Sequence, residues 1–213
     1  MWKCNPLFCR IKQSLILILK GYCSDPPHGA TQAARAYASY ADVAFAPDAV
    51  LNGGITSSGT KLQIVVYASP ESDNTKNDVL TTIKNFRSVN PDGKVIVIGH
   101  SGGGHNFIDL AKDNRDVKFD LLIALDTQDP KIYGIDDNNV YKNVKDEINY
   151  YQISKAIGGE TLDFKDKETK GANILSLSSN HRSIDNNQLN DVINDINNFL
   201  KGKDAVKIAK ERT

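Results

Sequence analysis

The stretch Lys94-Val95-Ile96-Val97-Ile98-Gly99-His100-Ser101-Gly102-Gly103-Gly104-His105 decides how the rest of this chain is read. Four consecutive β-branched residues mark a buried strand, which ends at a glycine. A serine follows, then three glycines, and then an amphipathic segment over 103–112 that reads as a helix. The pattern G-x-S-x-G between a strand and a helix puts the serine hydroxyl at the apex of a sharp turn, with small flanking residues because a Cβ there would collide with its neighbours. A phosphate-cradling loop would carry G-x-x-x-x-G-K-[ST], and no lysine follows these glycines. A dinucleotide fingerprint would need G-x-G-x-x-G, which Gly99-His100-Ser101 breaks at its second glycine.

Outward from this turn the pattern repeats. Leu62 to Ala68 reads as a strand, and Asn74 to Ser88 as a helix with Val79, Leu80, Ile83 and Phe86 on one face. Phe119 to Leu125 is the next apolar run and ends at Asp126, and Asn173 to Leu177 is a later strand. A final helix carries Leu189, Val192, Ile193, Ile196, Phe199 and Leu200 at helical spacing. Asn143 to Ile153 fits a helix or a strand. Strands alternating with helices over short links predict an α/β fold: a mainly parallel sheet with helices on both faces.

With 213 residues the chain suits a single sizeable core. Its 26 Lys and Arg balance 26 Asp and Glu, which argues against nucleic acid as a partner, since that calls for a basic excess. No stretch approaches the roughly 20 apolar residues of a transmembrane span. Cys4, Cys9 and Cys23 all lie near the start with no metal-ligand spacing, and the disulfide-poor remainder leans towards a reducing compartment. Lys3, Arg10 and Lys12 precede Leu15-Ile16-Leu17-Ile18-Leu19, which resembles a secretory signal and reads equally as a first strand or an interfacial segment. Turn material over 23–29, Cys23-Ser24-Asp25-Pro26-Pro27-His28-Gly29, separates an expected appendage, 1–29, from an expected compact domain, 30–213, that opens with an alanine-rich helix over 30–45.

A serine becomes a nucleophile when a base takes its proton, and an acid must hold that base in the correct tautomer. Of the four histidines, His28 lies before the core, and His100 and His105 sit on the turn itself, poorly aimed at Ser101. His181 falls between the last strand and the last helix, in a loop at the carboxyl edge of the sheet, where catalytic groups gather. Asp126 ends a strand at the same edge and is the favoured acid, with Asp129 as the alternative. The chain order Ser101, Asp126, His181 is the one such sheets use. An acyl transfer also needs an oxyanion hole, expected from the Gly102 N–H and a second N–H among Ala68, Ser69 and Glu71, with Ser69 favoured; Pro70 has none to give. This chemistry requires no cofactor and no metal.

The same three pieces resemble the pancreatic-type lipases of the α/β-hydrolase superfamily. Gly99-His100-Ser101-Gly102-Gly103-Gly104-His105 is similar to that family's G-H-S-L-G-A-H, with Gly102 and Gly104 in place of Leu and Ala. Ala124-Leu125-Asp126-Thr127-Gln128-Asp129-Pro130 resembles G-L-D-P-A-x-P, whose aspartate is the triad acid. Ser179-Asn180-His181-Arg182-Ser183 resembles S-H-x-R-[SA], which carries the base. The resemblance spans about Leu62 to Leu200 and implies a three-layer α/β-hydrolase-like fold and a serine esterase or lipase acting on a small-molecule or lipid ester, with contact to a lipid interface. An acyl thioesterase, or a non-catalytic binding module of the same fold, are the competing expectations. Residues 136–151, between acid and base, are read either as a modest cap bringing Tyr150 and Tyr151 to the acyl site or as ordinary core.

Overall fold

The run Val95-Ile96-Val97-Ile98 belongs to a strand, β3 (Lys94–His100), whose five interior residues are all buried. A strand is apolar at every position only when both of its faces are covered. That is the case here, in a computed structural model that describes residues 13–19, 60–67, 73–127, 140–152, 161–162, 169–177, 179, 181 and 184–212. The other strands are β1 (Gln13–Leu19), β2 (Lys61–Tyr67), β4 (Phe119–Leu125), β5 (Val144–Tyr151) and β6 (Lys170–Leu175). They form one six-stranded sheet in the order β2-β1-β3-β4-β5-β6. Every adjacent pair is parallel.

The helices are α1 (Asp73–Val89), α2 (Gly102–Asp113), α3 (Ile184–Asn187), α4 (Leu189–Leu200) and α5 (Ala205–Lys210). Strand residues alternate between two cores, as the period of two requires. Val95, Val97, Leu122 and Ala124 pack with Val79, Ile83 and Phe86 of α1 and with Phe107, Leu110 and Ala111 of α2. Ile96, Ile98, Leu121, Ile123 and Leu125 pack with Val192, Ile196 and Phe199 of α4 and with Ala205 and Ile208 of α5. The fold is the expected three-layer α/β arrangement. Among the described residues no helix is long and apolar enough to cross a membrane.

Two open readings are resolved and one expectation is corrected. Leu15 to Leu19, read as a signal-like run, a first strand or an interfacial segment, is the buried interior of a first strand, β1, paired in parallel with β2 on one side and β3 on the other. The sheet therefore takes a central strand from within the expected appendage, 1–29, and a boundary at residue 29 does not separate that segment from the domain. The run is short because a strand of seven residues is all that the sheet needs.

The second open reading concerns residues 143–153, helix or strand, cap or core: they are strand β5 for most of their length. Tyr150 is fully buried in the core under α4, where its hydroxyl donates to Asp195 Oδ2 at 2.5 Å, so it caps no acyl site. Hydropathy hides this strand because its buried positions include the polar residues Asp146, Glu147 and Asn149, two of which bond to distant parts of the chain. Asp146 Oδ1 accepts the N–H of Ala205 at the start of α5 (2.9 Å), and Asn149 Nδ2 donates to Asn173 of β6 (2.8 Å). The helix of 30–45 lies outside the described residues.

Candidate active site

Parallel strands bring their carboxyl ends to one edge, and here the hydrogen-bond ladder continues past the ends of the strands. The Ser101 N–H donates to Leu125 O (3.0 Å), the Asp126 N–H to Tyr150 O (2.7 Å) and the Ser176 N–H to Tyr151 O (2.8 Å). The residues that follow β3, β4 and β6 are thereby set in one row.

Ser101 stands between β3 and α2 with φ 53° and ψ −128°. Non-glycine residues rarely adopt positive φ. Among the described residues only two do, Ser101 and Asp126 (φ 46°), and strain of this kind concentrates at functional sites. Gly99 and Gly104, on either side of the serine, leave no room for a side chain. A Cβ on Gly99 would lie 2.5 Å from Gly104 Cα, and one on Gly104 would lie 2.7 Å from Thr127 Oγ1. The turn can be this tight only because β3 and α2 touch through bare backbone.

Three side chains meet above it. His181 Nδ1 lies 2.6 Å from Asp126 Oδ2, and His181 Nε2 lies 2.9 Å from Ser101 Oγ. A carboxylate only accepts, so Nδ1 carries the proton and donates to Asp126; Nε2 of the neutral ring is then the acceptor for the serine hydroxyl. Asp126 is fully buried and Ser101 nearly so. The loop that carries His181 is pinned from two sides. His100 Nε2 donates to the His181 carbonyl oxygen at 3.0 Å, and Gln188 Nε2 donates to Ser176 Oγ (2.7 Å), which lies 2.7 Å from Ser179 Oγ.

No protein-family model matches the chain, and no curated protein matches it. Among solved structures, an iodinated complex of acetyl xylan esterase is similar with a TM-score of 0.42 and 12% identity over 88% of this chain and 98% of that one. A cutinase-like protein from Cryptococcus sp. is similar with a TM-score of 0.32 and 20% identity over 53% of this chain and 52% of that one, so the match spans about half of that protein's length. The chemistry of the site is therefore read from this chain's own residues.

Ser101, Asp126 and His181, chosen from sequence, lie within hydrogen-bonding distance of one another in series. Gly102 opens α2, where the first N–H groups of a helix lack intrahelical acceptors. Asp129, Ser69 and the neighbouring Ala68 and Glu71 lie outside the described residues, as does His28. His105 is buried on α2 with Nε2 3.5 Å from Asp109 Oδ2, and burial lowers its pKa, an effect that Asp109 opposes. Sequence reasoning missed Gln152, whose side-chain Nε2–H donates to Asp126 Oδ2 at 3.0 Å. It also missed the tether from His100. Gln152 carries no motif and reaches the site through the register of β5 against β4, whereas His100 lies within the elbow motif itself and its contact with the loop of His181 spans 81 positions.

Proposed function

We propose that this protein is a serine hydrolase that cleaves carboxylic esters through an acyl-enzyme intermediate. The observation that carries the reading is the unbroken series Ser101 Oγ–His181–Asp126, at 2.9 and 2.6 Å, with the serine on a strained strand-to-helix turn. Ser101 Oγ attacks the acyl carbon while His181 Nε2 takes its proton, and Asp126 stabilises the imidazolium that forms. The Gly102 N–H, with a second donor assigned to Ser69, holds the oxyanion of the tetrahedral intermediate. Collapse of that intermediate expels the alcohol, which takes the proton from His181. Water, deprotonated by the same ring, then releases the acid and regenerates Ser101.

A panel of nitrophenyl esters of graded acyl length, with an acyl thioester alongside, tests the proposal. Wild type should turn over at least the short esters, and Ser101→Ala should reduce turnover by several orders of magnitude. A Ser101→Ala chain as fast as wild type would overturn the proposal.

A further inference from the structure

Gln152 follows directly on β5 and is almost wholly buried. Its Nε2–H donates at 3.0 Å to Asp126 Oδ2, the same oxygen that lies 2.6 Å from His181 Nδ1. Its backbone N–H is directed at the other oxygen, Oδ1, at 3.4 Å. The Asp126 N–H in turn donates to Tyr150 O at 2.7 Å, so the end of β5 grips the aspartate by main chain and side chain together.

We propose that Gln152 is a positioning residue for the reaction, locking the Asp126 carboxylate so that Oδ2 stays directed at His181. The inference rests on reading Ser101, His181 and Asp126 as the hydrolytic relay. A carboxylate oxygen can accept two donors at once, so the amide need not displace the imidazole. The lock matters because the terminal torsion of aspartate is broad and roughly twofold. Free rotation would swap Oδ1 for Oδ2 and turn the acceptor out of the imidazole plane. The choice of amide also matters. A lysine or arginine in this place would neutralise Asp126, whereas glutamine fixes its orientation and leaves its charge available to the imidazolium. A glutamine that only filled space would affect stability and leave the chemical step alone.

The test is kinetic, on the full chain. Gln152→Met keeps the side-chain length and loses the donor. With a short nitrophenyl ester it should lower kcat by roughly tenfold while KM stays within about twofold, the signature of an interaction that serves the transition state. In an Asp126→Ala background the same change should cost nothing further, because there is no carboxylate left to hold. A Gln152→Met chain with wild-type kcat overturns the inference, as does an equal loss in both backgrounds. Should Gln152→Met fail to show a cooperative thermal transition, the unmodified side chain answers instead. The Gln152 side-chain NH2 resonances of 15N-labelled protein should move on Asp126→Ala, and their staying in place overturns the inference. A wild type that hydrolyses no ester removes the hydrolase reading and this inference with it, whereas an active wild type and an unaffected variant remove the inference alone.

Discussion

Glu147 sits in the middle of β5, in register with Leu122 of β4 and Gly171 of β6. It is fully buried, and neither carboxyl oxygen has a hydrogen-bond partner. Burial therefore holds its pKa well above the ordinary glutamate value of 4.5. The sign of the resulting pH dependence follows from proton counting. Below pH 4.5 both the folded and unfolded chains keep the proton, and there is no penalty. Above it the unfolded chain releases the proton while the folded chain retains it, so stability falls as pH rises, until Glu147 ionises in the folded state as well. One proton shifts the folding equilibrium tenfold per pH unit across that window. Glu147→Gln mimics the protonated acid and cannot titrate. The two chains should have similar stability at pH 4, and above 4.5 the variant should gain on wild type, by at most tenfold in folding constant per unit, until Glu147 ionises in the folded chain as well. Other buried carboxyls titrate in both chains and cancel in the difference. Urea unfolding followed by circular dichroism between pH 4 and 8 measures it. A flat difference, or one that favours wild type as pH rises, would show that Glu147 is charged in the folded protein and not held protonated by burial.

Three further outcomes follow from the geometry. Gly99→Ala would place a Cβ 2.5 Å from Gly104 Cα, so the turn must open, and both stability (about 1–3 kcal/mol) and ester turnover should fall. Arg212 bonds Asp195, which is 1% exposed, and pairs with Asp191 at 3.1 Å; Arg212→Ala should cost about 3 kcal/mol in a urea titration by leaving a buried carboxylate with the Tyr150 hydroxyl as its remaining partner. Phe107 is fully buried behind the elbow, edge-on to Phe119 at 4.7 Å between ring centroids, and Phe107→Ala should lower unfolding free energy by about 3–5 kcal/mol. A loss under 1 kcal/mol in either urea titration would contradict the packing described.

What could be read from the sequence follows from how locally each feature is determined. The elbow is legible because its demands are steric and contiguous: a β-branched run, then glycines wherever β3 and α2 touch. Asp126 and His181 stood out because each falls at the end of a strand or in the loop beyond it, and parallel strands gather those ends. β1 was obscured because a buried central strand flanked by basic residues has the composition of a secretion signal; only its pairing partners, β2 and β3, distinguish the two. β5 was obscured for the opposite reason. Asp146, Glu147 and Asn149 are polar residues at buried positions, and the partners of Asp146 and Asn149, Ala205 and Asn173, lie far along the chain. Gln152 belongs to the same class, since its role depends on a contact across 26 positions of sequence.

The proposed reaction begins with Ser101 as a nucleophile activated by His181. Reaction of the intact chain with a fluorophosphonate, read by mass spectrometry, probes that step. One adduct per chain is expected, mapped to the peptide that contains Ser101, absent in Ser101→Ala and formed far more slowly in His181→Ala. A wild-type chain that stays unmodified, or one modified at another residue, would contradict it.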